Sequence, residues 1–190
     1  MVLEYSFKFL LLGSEGSGKT SFINYSPDDQ SNIFDYSDCM GAKLAHNSNY
    51  WLEFGKCYAR SGFKNRDMEC FERACELEDD NPDLYDDIAW EFYSNSMVFD
   101  RDKVVEFCDK ALKLDPKRVR SWYVKAEALK LLQKNLIAIK TFKKVLEINP
   151  KVAYVWHSMD MVYQAMGNYL SAMGCFVKAA EIASNKKIAR

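Results

Sequence analysis

Apolar positions in the C-terminal part of this chain recur with a period of 34 residues. In each period a bulky aromatic residue is followed at +16 by alanine, at +20 by phenylalanine and at +23 by a small apolar residue. Two successive copies align in this way: Trp122 with Trp156, Ala138 with Ala172, Phe142 with Phe176 and Val145 with Ala179. Between these positions, apolar residues at helical spacing form the stripe of an amphipathic helix. The pattern predicts tandem helical hairpins that bury these aromatics and alanines.

The period and the residue types together resemble the tetratricopeptide repeat, a helix–turn–helix unit of this length. Residues Trp122–Ala126 (Trp-Tyr-Val-Lys-Ala) fit a frequent opening of the first helix in that family. The resemblance implies an all-α, right-handed α-solenoid and a scaffold or adaptor that binds other proteins. It covers about four repeats: 48–81, 82–118, 119–152 and 153–186.

The first two repeats vary the pattern. Trp51 opens the first, and Gly55 stands where a small residue lets the two helices of a hairpin approach closely. Tyr85 takes the opening aromatic position of the second repeat. The second helix of that repeat comes three residues late, which predicts a longer turn at Ser94–Asp100.

The predicted last repeat leaves only Asn185–Arg190 after it. Most arrays of this family end in a further amphipathic helix, and these residues are too few to form one. We therefore expect apolar surface to be exposed on the last repeat, and a homodimer through that surface is one consequence.

Composition narrows the classes of partner. The net charge is −1, with 28% charged residues, which disfavours electrostatic capture of nucleic acid or of an anionic membrane. No apolar run is long enough to cross a bilayer, and the N-terminus lacks the basic region of a signal peptide.

The cysteines have no metal-ligand spacing, and the pattern indicates reduced core residues of a cytoplasmic protein: Cys39, Cys57, Cys70, Cys75, Cys108 and Cys175.

The N-terminal segment, residues 1–47, carries a phosphate-loop motif. An apolar run of strand type, Tyr5–Leu12, leads into Gly13–Thr20, which matches G-x-x-x-x-G-K-[ST]. In that motif backbone N–H groups enclose a phosphate, a lysine reaches the β/γ-phosphates and a hydroxyl holds Mg²⁺. The residues concerned are Gly13, Gly16, Gly18, Lys19 and Thr20. Residues 5–23 resemble the opening of a Ras-like small GTPase, which implies Mg-GTP or Mg-ATP as the ligand.

The rest of that GTPase pattern is missing from the sequence. Asp38–Gly41 has the D-x-x-G form but stands too close to Lys19, and Asn185-Lys186 lacks the following Asp of a guanine-reading motif. Three interpretations stay open: an inherited remnant, a weak or partner-dependent nucleotide site, and a working NTPase. The repeats themselves require no cofactor.

Resemblance to the repeat family places ligands in a concave groove lined by first helices. Relative to each opening aromatic, groove positions fall at −2, +1, +5 and +8. These are Asn49, Leu52, Lys56 and Ala59; Asp83, Asp86, Trp90 and Tyr93; Arg120, Tyr123, Glu127 and Lys130; and Tyr154, His157, Met161 and Gln164, with Arg60 reaching the same face.

Such a groove suits a peptide or helix of another protein with apolar anchors and some acidic character, because aromatic and arginine side chains dominate interface energies. The alternative is a solvated helix face without a ligand. A clamp for terminal carboxylates is excluded, because Leu52 and Lys56 replace its lysine and asparagine and Asp87 would repel the ligand. The only histidines, His46 and His157, have no catalytic partner by spacing, so an enzyme is not expected.

Overall fold

The computed structural model describes residues 46–61, 64–94 and 100–188. The chain divides into two compact units, and the described helices belong to the second, Asn47–Arg190. Within these ranges the structure is helical and has no strand: α1 (Ser48–Ser61), α2 (Lys64–Leu77), α3 (Pro82–Ser94), α4 (Arg101–Leu114), α5 (Val119–Leu131), α6 (Asn135–Ile148), α7 (Ala153–Ala165) and α8 (Tyr169–Ile188). The predicted strand and phosphate loop lie outside the described residues.

Helices pack in sequence-adjacent pairs, α1 with α2, α3 with α4, α5 with α6, and α7 with α8. The first helices of neighbouring pairs, α1, α3, α5 and α7, also contact one another in succession. This is the stacking of hairpins that the period predicted. Every helix in the described ranges is too short or too polar to cross a lipid bilayer.

The turn within the second hairpin is longer than the others, as predicted. Residues 95–100 separate α3 from α4, whereas residues 132–134 separate α5 from α6. Asp100 ends this turn as the N-cap of α4, because its side chain accepts hydrogen bonds from the backbone N–H groups of Asp102 and Lys103.

The opening aromatic of each of the last three repeats has the same hydrogen bond. Its ring N–H or hydroxyl donates to the backbone carbonyl six residues earlier, in the turn that precedes the helix. The pairs are Tyr85 with Asp79 at 3.1 Å, Trp122 with Pro116 at 2.8 Å and Trp156 with Pro150 at 3.5 Å. Tyr85 therefore performs the role of the tryptophans, which confirms its predicted place in the repeat.

Gly55 is required where α1 meets α2. A Cβ atom added there would lie 2.4 Å from Cε1 of Phe71, a ring that is fully buried. The prediction that a small residue permits close approach at this position is confirmed.

The core consists of two clusters of buried side chains. One extends from α1 to α5, and the other from α5 to α8. Helix α5 contributes to both: Val124 and Ala128 to the first, Ala126 and Leu129 to the second. Tyr123 is half-buried and packs against both clusters.

Cys70, Cys75, Cys108 and Cys175 form no disulfide and lie in or beside the core. Burial raises the pKa of Cys70 to about 12 and that of Cys75 to about 11. Cys108, one period before Phe142, corresponds to the +20 position because the second helix of this repeat comes three residues late. It is fully buried, and burial raises its pKa as well. These thiols therefore stay protonated at neutral pH. Cys39 lies outside the described residues.

The turns after α5 and α7 have the same backbone shape but different residues at its strained position. Gln133 has φ 59° and Gly167, one period later, has φ 73°. A left-handed conformation costs little for glycine and roughly 1–2 kcal/mol for other residues. The turn after α5 is therefore strained, and the turn after α7 is not.

We expect Gln133→Gly to raise the free energy of unfolding by about 0.5–1 kcal/mol, because the gain at the left-handed position exceeds the entropy that glycine adds to the unfolded chain. Gly167→Gln is the matched reverse change, and no atom lies within 4 Å of an added Cβ there, so backbone strain alone should lower stability by about 1 kcal/mol. Urea unfolding measures both. Equal signs for the two changes would contradict this account of the turns.

Candidate functional site

The first helices lie side by side, and we name their shared surface the first-helix face. It is the surface that the sequence predicts as the ligand groove. At its middle an aromatic row crosses three helices: Trp90 and Tyr93 on α3, Tyr123 on α5 and Tyr154 on α7. Ring centroids are 5.6 Å apart between Trp90 and Tyr93, and 4.7 Å apart, edge to face, between Tyr123 and Tyr154. The Tyr93 and Tyr123 hydroxyls share a hydrogen bond that connects the two halves of the row.

The ends of the aromatic row are open and its centre is closed. Trp90 is 40% exposed and Tyr154 51% exposed, whereas Tyr93 and Tyr123 are half-buried. Burial, followed by the nearby charge of Glu127, raises the pKa of both Tyr93 and Tyr123. Both phenols thus stay protonated at neutral pH and serve as hydrogen-bonding groups.

The predicted cations of this face are paired with carboxylates. The Lys56 ammonium lies 2.8 Å from Glu53. Arg60 donates two hydrogen bonds to Glu91, at 3.1 and 3.2 Å, and so joins α1 to α3. This pairing raises the pKa of Arg60.

Lys130 lies 2.5 Å from Glu127, one turn earlier on the same helix. Lys56, Arg60 and Lys130 thus each have a carboxylate partner within the solenoid, and the acidic character expected of the ligand stays a prediction.

Arg120 belongs to a contact between repeats that we name the α3–α5 seam, formed by Asp86, Asp87, Arg118, Arg120 and Ser121. The Asp86 carboxylate is 4% exposed, lies 3.0 Å from Nε of Arg120 and accepts a hydrogen bond from the Ser121 hydroxyl at 2.5 Å. Arg120 also donates to Asp87 and to the backbone carbonyl of Asp86. Its guanidinium carbon lies 5.4 Å from the centre of the Trp90 ring, so the seam supports one end of the aromatic row.

Two of the groove positions are core instead. Leu52 and Ala59 are 4% and 2% exposed and belong to the first buried cluster. The +1 position, to which Leu52 and Asp86 belong, is covered by the neighbouring first helix, whereas His157 at that position on α7 is exposed. The exposed members of the predicted set include Asn49, Asp83, Trp90, Arg120, Tyr154, His157, Met161 and Gln164.

Sequence reasoning missed several residues of the site. Glu91 is 5% exposed and receives Arg60, and Ser158 hydrogen-bonds the Tyr123 hydroxyl. Asp160 is 4% exposed and accepts a hydrogen bond from Gln164 at 2.8 Å. Polar residues inside the apolar register of a first helix were the available signal for all three.

In the part of the chain that the structure describes, no three His, Cys, Asp or Glu side chains are placed to hold a metal ion. Gly13, Gly16, Gly18, Lys19 and Thr20 lie outside the described residues, so the nucleotide site stays a prediction.

Stacked helical hairpins with an aromatic first-helix face define a helical-repeat solenoid. Residues 119–152 match the family model described as tetratricopeptide repeat. The match coincides with the third repeat that the period predicted.

Similar proteins have the same architecture. The crystal structure of MamA aligns with a TM-score of 0.68 at 20% identity, over 80% of this chain and 86% of that one. YrrB, described as "a TPR protein with an unusual peptide-binding site", aligns with a TM-score of 0.61 at 17% identity, over 73% of this chain and 70% of that one. At these identities the likeness shows the fold.

A human protein, Protein O-mannosyl-transferase TMTC1, is 29% identical over 91 residues, which make up 46% of this chain. The chain spans a tenth of the length of that protein, since the match covers 10% of it.

We expect Asp86→Ala to lower the free energy of unfolding by about 2–4 kcal/mol, because it removes the buried acceptor of Arg120 and Ser121. The control is Asp83→Ala, since Asp83 also pairs across the two repeats, with Arg118, but its side chain is 78% exposed. That change should cost at most about 0.5 kcal/mol. Chemical denaturation distinguishes them, and similar losses for both variants would contradict a structural role for the seam.

Proposed function

We propose that this chain is a protein-interaction scaffold that holds a peptide segment of another protein against its first-helix face. The observation that carries the proposal is the aromatic row, which crosses three neighbouring first helices and has exposed rings at both ends. Tyrosine and tryptophan supply large contact areas at low entropic cost, and they are enriched among the residues that dominate binding energy. The tetratricopeptide repeat at 119–152 and the shared fold of YrrB support the same class of function.

The spacing of the row suits an extended or helical segment better than a small molecule. The rings succeed one another at 5.6 Å within α3 and 4.7 Å between α5 and α7, so together they form an elongated strip. An elongated strip contacts several side chains of a peptide in turn. The seam holds α3 against α5, and the hydrogen bond between Tyr123 and Ser158 joins α5 to α7, so the strip is organised before a ligand arrives.

We expect Trp90→Ala and Tyr154→Ala each to weaken binding of proteins captured by the full chain by about tenfold or more, because each removes an exposed anchor ring. The measurement is affinity capture from cell extract, followed by titration of the captured protein. Leu136→Ala is the control, since Leu136 is 66% exposed but lies on α6, away from the face. Partners retained equally by all variants would contradict the proposed site.

We also propose that two copies of the chain associate through the outer side of α8. Leu170, Met173, Phe176 and Val177 are exposed there by 82%, 61%, 58% and 46%. Phe142, one period before Phe176, is fully buried in a cluster with Val155 and Met159 of α7. The side of α8 thus has the composition of a surface that another helix covers. The same helix of a second copy covers it symmetrically.

Sedimentation equilibrium at several protein concentrations tests this association. We expect a monomer–dimer equilibrium for the natural sequence and a monomer for Phe176→Glu, because a charge in the middle of the interface would be buried without a partner. Leu136→Glu places the same charge on another exposed apolar residue and should leave the dimer intact. A natural chain that stays monomeric throughout the range would contradict the proposal.

A further inference from the structure

The charged side chains that the fold buries share one sign. In the described ranges the buried charged residues are all acidic: Asp67, Asp86, Glu91, Glu127 and Asp160. Four of the five belong to first helices, so the floor of the first-helix face is lined with carboxylates. A buried carboxylate is unfavourable unless it is paired and hydrogen-bonded. The hydrogen-bond and ion-pair partners of each carboxylate therefore show whether the solenoid itself satisfies that group.

Three of these four carboxylates have hydrogen-bond donors from a neighbouring residue or repeat. Asp86 receives Arg120 and Ser121, and both oxygens of Glu91 accept from Arg60. Asp160 accepts from the Gln164 amide. These contacts are internal to the solenoid, and they account for the burial of the groups concerned.

Glu127 differs from the others. Its Oε2 atom lies 2.5 Å from the Lys130 ammonium, whereas its Oε1 atom is buried and has no hydrogen-bond partner among the described residues. The carboxylate is 5% exposed and sits on α5 beside the phenols of Tyr93 and Tyr123, whose pKa values are raised by burial and then by its charge. An unpaired oxygen is thus held at the centre of the aromatic row.

The Lys130 ammonium is the group that a cation of a ligand would displace from Glu127. It is the only cation paired with Glu127 in the described ranges, it comes from the same helix at i, i+3, and it makes no bridge to another repeat. The Lys130 side chain is 19% exposed, and its flexible stem can turn outwards when another cation takes its place beside the carboxylate. Removing Lys130 from the carboxylate would expose a desolvated acid flanked by aromatic rings.

We propose that the segment bound on the first-helix face carries a lysine or arginine side chain that pairs with Glu127, in the position that Lys130 occupies in the unliganded protein. This rests on the proposed function. The tyrosines of the row would enclose the aliphatic stem, and the ammonium or guanidinium would donate to the Oε2 atom that Lys130 leaves and to the unpartnered Oε1 atom beside it. Lys56, Arg60 and Arg120 are already paired with carboxylates, so an acidic segment would find no unpaired cation among them.

The test is selection of a random twelve-residue peptide library, displayed on phage, against the immobilised full chain. We expect peptides with a lysine or arginine at one fixed position between apolar residues. Glu127→Gln should abolish that preference and weaken binding of a selected peptide by about tenfold or more. Lys130→Ala should strengthen binding of the same peptide, because the carboxylate is left without its internal partner. The opposite signs of the two effects separate recognition from a structural role, in which both changes would weaken binding.

The outcomes distinguish this inference from the proposed function. Selected peptides without a basic position, or with the same basic preference in Glu127→Gln, would overturn the pairing and leave peptide capture intact. Weaker binding by Lys130→Ala would also overturn it. Failure to select any peptide, while melting temperatures show that the chain is folded, would contradict peptide capture and the pairing with it.

Discussion

The apolar side chains of each hairpin in this protein are fully buried only where a neighbouring hairpin covers them. The effect is clearest at the +20 position of the repeat. Phe71, Cys108 and Phe142 are fully buried there, and Phe176, with the same place in the last described hairpin, is 58% exposed. Apolar burial of this kind is the main favourable term in folding, so the period is maintained by contacts between units as much as within them. The first helices become neighbours as a result, and the first-helix face follows from the packing of the core.

The features that could be predicted from the sequence are those that residues within a single repeat determine. In the last three repeats the aromatic residue at the start of the first helix donates to the preceding turn, so Tyr85 could be recognised in place of tryptophan. Gly55 was recognisable because only hydrogen fits against Phe71. The extra residues of the second repeat fell between the end of α3 at Ser94 and the start of α4 at Arg101, as the delayed second helix predicted.

The sequence could not predict which charges meet across repeats. Arg60 and Glu91 are 31 residues apart, and Arg120 and Asp87 are 33 apart, and neither spacing equals the period. These pairs depend on the offset between neighbouring first helices, which a linear pattern does not contain. The same offset explains why Leu52 and Ala59 are core residues although the count placed them in the groove. Trp90 and Tyr154, which the same count placed in the groove, are 40% and 51% exposed.

The position of Tyr123 has a mechanical consequence. Helix α5 supplies side chains to both buried clusters, and Tyr123 packs against each of them while its ring also meets Tyr154. A ligand bound to this tyrosine would therefore restrain α5, the helix that the two buried clusters share. A bound ligand would then reduce the bending of the hairpins that precede α5 against those that follow it. The solenoid would resist bending more with the ligand bound than without it.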